Sequence, residues 1–410
     1  MKKRGQSIAY AATVYGNEEV RAVNRVLSNP LKLVAGALVK KFEGKIARLF
    51  GKKYGVMTNS GSSANLLALE ILDLPKGAEV ITPALTFSTT LAPIIQKNLT
   101  PVFADVEEGS YMINIKQVEK LITARTKALF IPSLIGNIPD LAGLSRIAKK
   151  HHLYLIEDSC DTLGARFHGK PTGAYSDIST TSFYASHIIT AAAGGGMICV
   201  HDTEFARRAL LKSNWGREST LFGAHEKSEN LRKRFNAKID ERMYDAKFIF
   251  SEIGYNFQPT EIQAAFGLEQ LKRLKKFTKK RQENFSLLYK FFKRYEDIFI
   301  LPKQHPAART AWLAFPLTIR KGVGFSRHEL TYFLEKQNIQ TRPIFTGNVL
   351  RQPAFRGIKA RHVEGGFPVT DSIMESGFLI GCHHGLTPDN ILSLKKAFET
   401  FLKHHDKKII

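Results

Sequence analysis

The sequence predicts an α/β fold: a mainly parallel sheet covered by helices on both faces, followed by a smaller C-terminal α+β domain. Three observations predict it. Short apolar runs alternate with helical patterns over the first two-thirds of the chain. Acids and Ser/Gly clusters fall directly after several of those runs, at the strand ends where such sheets bind ligands. From about Thr260 the rhythm gives way to one long amphipathic helix and scattered strands.

The elements follow in order. A helix ends at Ala47-Arg48-Leu49-Phe50, and residues 54–58 read as the first strand. A helix over 62–72, a strand over 78–82, a helix over 90–96 and a strand over 101–105 come next. Strands at 127–131 and 153–157 flank a helix over 141–151. A helix from Glu261 to about Tyr295, a strand over 311–319 and helices over 326–337 and 390–404 complete the chain. Residues 1–259 form the expected large domain and 260–410 the small one. There are no internal repeats and no low-complexity linkers.

Composition narrows the function classes. The chain has 410 residues, 43% hydrophobic and 24% charged, ordinary for a globular protein. No apolar run reaches the 18 residues of a membrane span, and no apolar core follows the basic start Met1-Lys2-Lys3-Arg4. The expectation is a cytoplasmic protein with no membrane partner. Cys160, Cys199 and Cys382 are too few and too scattered for a disulfide framework. The net charge of +23 raises the question of nucleic acid. Much of the excess lies in stretches such as Leu271 to Arg281, where apolar residues recur at helical spacing and the lysines line a solvated face. No zinc-finger or RNA-binding motif accompanies it, so no nucleic-acid partner is expected. A basic surface also attracts an anionic small molecule such as a nucleotide diphosphate.

Four segments carry candidate chemistry. Asn59-Ser60-Gly61-Ser62-Ser63 lies between a strand and a helix, where backbone amides and hydroxyls suit a phosphate or serve as a plain cap. Phe87 follows a strand, placed either to stack on an aromatic ring or to join the core. Asp158 and Asp161 follow another strand, placed to hold a ring nitrogen or to cap a helix. Ser182-Phe183-Tyr184-Ala185-Ser186-His187 precedes the glycines Gly194-Gly195-Gly196.

Read together, the four segments resemble the DegT-type sugar aminotransferases, pyridoxal-phosphate enzymes of fold type I, over roughly residues 30–400. Within that family the chain is most similar to the nucleotide-sugar 3-dehydrases, typified by CDP-4-keto-6-deoxyglucose 3-dehydrase. Asn59 to Leu69, Glu157 to Gly164, Asn214-Trp215-Gly216-Arg217, Gly254-Tyr255-Asn256 and Thr341 to Pro353 carry the closer match. His187 stands where most of the family has the lysine that bonds covalently to the cofactor, and Asp161 where aminotransferases carry glutamine.

The resemblance implies a role for each residue. Pyridoxal or pyridoxamine 5′-phosphate is the cofactor, with Gly61, Ser62, Ser63 and Ser182 at its phosphate. Phe87 lies on its ring, Asp158 at its nitrogen and Asp161 nearby. Asn256 reaches the phosphate bound to a neighbouring subunit, implying a homodimer with shared sites. Arg342, Asn348 and Arg351 fall near the substrate, a nucleotide-linked 4-keto-6-deoxysugar. Imidazole moves protons near neutral pH but cannot hold the cofactor covalently. His187 as general base therefore points to loss of the sugar C3 hydroxyl rather than amino transfer.

Two departures bear on this expectation. Reductase-coupled 3-dehydrases carry a [2Fe–2S] cluster on four cysteines. Here only Cys160 aligns, and Glu218 to Leu231 contains no cysteine. One thiolate cannot hold a cluster that needs four ligands, so no iron–sulfur cluster is expected. Electrons would then come from pyridoxamine phosphate, with L-glutamate as amino donor, as in the colitose-pathway 3-dehydratase. The second departure is Ala191-Ala192-Ala193-Gly194-Gly195-Gly196, where the family has Gly-Glu-Gly-Gly. Family membership keeps a nucleotide-sugar aminotransferase open as an alternative, and the missing cluster with this altered loop a catalytically inactive sugar-nucleotide-binding homologue.

Overall fold

The structure, a computed structural model, describes residues 7–29, 33–223 and 230–406. The basic start at 1–6 and part of the cysteine-free segment, 224–229, lie outside the described residues.

Seven strands build the main sheet: β1 (Tyr54–Thr58), β2 (Glu79–Pro83), β3 (Thr100–Ala104), β4 (Thr126–Pro132), β5 (Tyr154–Asp158), β6 (Ile178–Ser182) and β7 (Gly196–Val200). Their spatial order is β1-β7-β6-β5-β4-β2-β3, with the short strand Arg361–His362 on the β3 edge. Pairings from β6 through β3 are parallel, while β7 runs antiparallel to both neighbours. Side chains alternate faces along a strand. Val80, Phe130 and Ile156 accordingly pack with Leu67 and Ile71 of α3 (Gly61–Leu72) and Ile94 of α4 (Ser88–Gln96). Their neighbours Ile81, Leu129 and Leu155 point the other way, onto Val118 of α5 (Ile115–Leu121) and Leu144 of α6 (Leu141–Lys150).

Beyond α7 (Thr203–Lys212), the long helix α8 (Glu261–Phe292) joins two cores. Its first half, with Leu268, Leu274 and Phe277, packs on Phe42 and Ile46 of the Ala37–Leu49 helix. Its second half, with Leu288, Phe291 and Phe292, enters a core built from β8 (Phe315–Ile319), β9 (Gly377–Ile380), α9 (Arg327–Lys336) and the final helix Pro388–Asp406. A reciprocal capping box between Thr260 and Gln263 starts α8. The Glu261 carboxylate accepts the backbone N–H groups of Gly36, Leu38 and Val39.

The strand expected over 311–319 is shorter, because residues 311–314 are drawn out of the sheet. Leu313 N–H donates to the Ile135 carbonyl, and the Trp312 and Leu313 carbonyls accept from the buried Arg281 side chain. No helix among the described residues is long and apolar enough to cross a membrane.

Candidate active site

The parallel order brings the ends of β1, β2, β4, β5 and β6 to one edge of the sheet. The loops there enclose a cavity of about 480 Å³. Its lining includes Gly61, Ser62, Phe87, Asp158, Asp161, Ser182 and His187, so the structure brings together residues spread over more than a hundred positions.

One end of the cavity is a cradle for an anion. Ser60 caps α3, its hydroxyl accepting the Ser63 N–H. The N–H groups of the first turn have no carbonyl behind them and favour negative charge. A side chain at Gly61 would not fit: its Cβ would lie 2.6 Å from Ser182 Cβ and 2.9 Å from Cys160 Sγ. The Ser182 oxygen accepts the Tyr184 N–H, which leaves its own proton to donate into the cavity. Ser63 does not line the cavity; its hydroxyl donates to Asn59 Oδ1 within the cap.

Asp158 stands at the end of β5 and is held by three donors. Asn65 Nδ2 and the Thr90 hydroxyl both donate to Oδ2 at 2.8 Å, and the Cys160 N–H donates to Oδ1 at 3.1 Å. Thr180 in turn donates to Asn65 Oδ1, so Asn65 is itself locked. Phe87 is 47% exposed, lines the cavity and meets Phe345 with its ring nearly perpendicular. This donor set fits a planar, phosphorylated heteroaromatic group: an anion cradle, a carboxyl fixed by three donors, and an aromatic face between them.

His187 forms the wall of the cavity, its side chain 14% exposed. Burial lowers its pKa to about 4, the Cys160 backbone opposes that shift, and the positive charge of Arg281 adds to it. The imidazole is therefore neutral at pH 7. Asp161 lies 3.6 Å from its Nδ1, and burial pushes this carboxyl up to about 7 against the Ile135 N–H that it accepts. In the turn after His187, Ala192 and Ala193 take left-handed backbone at a cost, with φ of 52° and 65°. No lysine lines the cavity among the described residues.

The remaining expected site residues fall elsewhere. Asn256 is exposed and outside this cavity, its Oδ1 accepting the Gln258 N–H. Asn348 is buried, donating to Asp371 and capping the turn at Leu350. Arg351 pairs with the same Asp371 through both its Nε and Nη2. Arg342 is exposed and lies over the Tyr10 ring, 4.7 Å from its centre. Tyr10 does line the cavity, as do Asn65 and Thr90. Sequence reading missed all three. Asn65 sits one helical turn beyond Gly61 and Thr90 three residues after Phe87, a spacing that could have found them. Tyr10 carries no such signal.

Comparison with known proteins agrees with this geometry. The DegT/DnrJ/EryC1/StrS aminotransferase family matches residues 14–398. The lipopolysaccharide biosynthesis protein RfbH of Salmonella typhimurium is 38% identical over 385 residues, covering 90% of this chain and 86% of its own. The dTDP-4-dehydro-2,6-dideoxy-D-glucose 3-dehydratase of Saccharopolyspora spinosa is 36% identical, covering 91% of this chain and 82% of its own. Among solved structures, the E. coli GDP-4-keto-6-deoxy-D-mannose-3-dehydratase with bound hydrated PLP superposes with a TM-score of 0.85. It shares 28% identity over 96% of this chain and 100% of its own. Matched along nearly its whole length, the chain belongs to the DegT/DnrJ/EryC1/StrS aminotransferase family.

Proposed function

We propose that this protein is a nucleotide-sugar 3-dehydratase, which removes the C3 hydroxyl of a nucleotide-linked 4-keto-6-deoxyhexose, with His187 as the proton-transferring group. The observation that carries the reading is the cavity wall: among the described residues it offers an imidazole and no lysine beside a cradle suited to a phosphorylated ring. The cofactor is pyridoxal 5′-phosphate in its two forms, aldehyde and amine. When bound, its ring supplies the electron sink that lets a carbon–oxygen bond at sugar C3 break.

The residues divide the work. The first turn of α3, with Gly61 and Ser62, and the Ser182 hydroxyl hold the phosphate. Asp158 faces the ring nitrogen, kept in place by Asn65, Thr90 and the Cys160 N–H. Phe87 covers one ring face. His187 takes a proton and delivers one to the departing hydroxyl; its neutral state at pH 7 leaves a lone pair for the first task. Because imidazole does not replace the cofactor's amine, it supports elimination without completing amino transfer. L-glutamate is the proposed amino donor, and no reductase is required.

A homodimer belongs to the same reading. Asn256 does not line this chain's cavity, and apolar Trp215, Phe248, Phe250 and Ile253 stand exposed on the neighbouring stretches of chain, Ile253 at 92%. A second copy would cover them and receive Asn256 at its own phosphate.

Mass spectrometry of a nucleotide-linked 4-keto-6-deoxyhexose tests the proposal, after incubation with enzyme, pyridoxal phosphate and L-glutamate. Loss of one sugar oxygen with glutamate consumed is the expected result. An amine in place of the keto oxygen would establish amino transfer instead. No change across CDP-, GDP- and dTDP-sugars would leave a binding protein.

A further inference from the structure

We propose that Asp161 is a positioning residue for His187: it holds the ring in the Nδ1–H tautomer and so leaves Nε2 as the proton acceptor. This rests on the reading of His187 as the proton carrier. Nδ1 is sealed from solvent and makes no hydrogen bond of normal geometry; besides Asp161, the Cys160 backbone is the other acceptor against the ring. Asp161 Oδ1 is 3.6 Å away, just outside hydrogen-bond range. Contacts at reacting groups are often long in the empty site and tighten when it fills.

The loop beneath Asp161 is shaped for this. Asp161 Oδ2 accepts the Ile135 N–H at 2.8 Å, which fixes the carboxyl and aims Oδ1 at the imidazole. Ile135 has a φ of 59°, a conformation that a β-branched residue adopts only under constraint. Gly136 follows at φ 83°, where a Cβ would meet the Leu313 nitrogen at 2.6 Å. From the other side Arg281, fully buried on α8, reaches the His187 carbonyl at 3.4 Å and the two carbonyls of Trp312 and Leu313. The backbone on both sides of the pair is therefore pinned.

Only a carboxylate has two acceptor oxygens for these two donors, the Ile135 N–H and the His187 Nδ1–H. In Asp161→Asn the amide oxygen can serve one of them. If it keeps Ile135, its NH₂ faces Nδ1 and forces the Nε2–H tautomer. Protonating Asp161 has the same effect, because its O–H then donates to Nδ1. The charged and titratable groups around the pair are Asp158 and Cys160 on the β5 side, Tyr184 against the imidazole, Arg281 on α8 and His384 beside Arg281. Burial sets the Asp161 midpoint at about 7. Nε2 should thus be free to accept a proton above that pH and blocked below it.

The test is ¹⁵N NMR of the full-length, histidine-labelled protein without cofactor, with the His187 signals identified by their loss in His187→Asn. At pH 8 the expected spectrum has a pyrrole-type Nδ1 and a pyridine-type Nε2. The two should exchange character as the pH falls through 7, and be reversed at pH 8 in Asp161→Asn. Turnover of that variant should drop by roughly 10²–10⁴-fold, the usual worth of a general base. An Nε2–H tautomer in the wild-type protein at pH 8 would overturn the proposal without any variant being needed. So would an unchanged tautomer in a folded Asp161→Asn protein. Because the spectrum is read without substrate, the assigned tautomer in a protein that dehydrates no sugar would leave this inference standing and sink the dehydratase reading alone.

Discussion

Gly61→Ala is a stringent perturbation of the proposed phosphate cradle. The new methyl carbon would lie 2.6 Å from Ser182 Cβ, 2.9 Å from Cys160 Sγ and 3.0 Å from Ser182 Oγ. Carbon atoms rest at about 3.5–4.0 Å, so the start of α3 and the end of β6 must part by about 1 Å. Overpacking of this kind costs about 1–3 kcal/mol of stability. For 410 residues the unfolding entropy is about 0.9 kcal/mol/K, so Tm should fall by only about 1–4 °C. Function should suffer more, because the two surfaces pushed apart are both walls of the cradle. A misplacement of about 1 Å in a positioned site can cost about 100-fold, equivalent to about 2.8 kcal/mol. The assay is a fluorescence titration of the variant with pyridoxamine phosphate, beside a thermal melt. The expected pair is a small loss of Tm and a loss of affinity near 100-fold. Affinity within twofold of wild type in the folded variant would show that the phosphate lies elsewhere.

Three further outcomes are expected. His187→Lys should bond covalently to added pyridoxal phosphate and produce a new long-wavelength absorbance; a spectrum identical to free cofactor would mean that residue 187 does not face it. Arg281→Met should cost about 3–5 kcal/mol in a denaturant melt, because the carbonyls of Trp312 and Leu313 and the His384 Nδ1 all lose their buried donor; an unchanged midpoint would show that these acceptors find other partners. His383 is buried, its Nε2 side on the Ala9 carbonyl and its Nδ1 accepting the Gly385 N–H, and burial lowers its pKa from 6.5 to about 4. The unfolded chain takes up this proton near pH 6.5 and the native protein only near 4, so its contribution is intact above 6.5 and lost as pH falls to 4. His383→Asn should therefore lose about 2–3 kcal/mol less than wild type between pH 7 and 4.5, and parallel pH profiles in urea would contradict this.

How far the sequence reaches can be judged residue by residue. Strands β1 to β5 were visible as apolar runs, because strands buried on both faces need little else. β6, with its run Ile178-Ser179-Thr180-Thr181-Ser182, is polar and was not visible. Its hydroxyls are buried against Glu157, Asn65 and the Ser159 carbonyl, a pattern that only the packed neighbours explain. β9 was missed because Gly377 to Ile380 is too short to show a period. The segment 311–314 read as strand from its side chains, yet Arg281 and Ile135 compete for its backbone.

By itself the sequence determined the alternating α/β order, a helix start beside Gly61, the acids after β5 and the histidine where a lysine was expected. These are local facts, set by residue type and spacing within a few turns of chain. Tertiary structure alone decided which of them meet. It placed Gly61, Asp158, Ser182 and His187 around one cavity, tied Asn348 and Arg351 to Asp371, and brought Tyr10 and Arg342 together across most of the chain. It also set Asp161 beside a sealed imidazole nitrogen. Contact between distant segments depends on sheet order and on what burial leaves unpaired, and neither is written in local spacing.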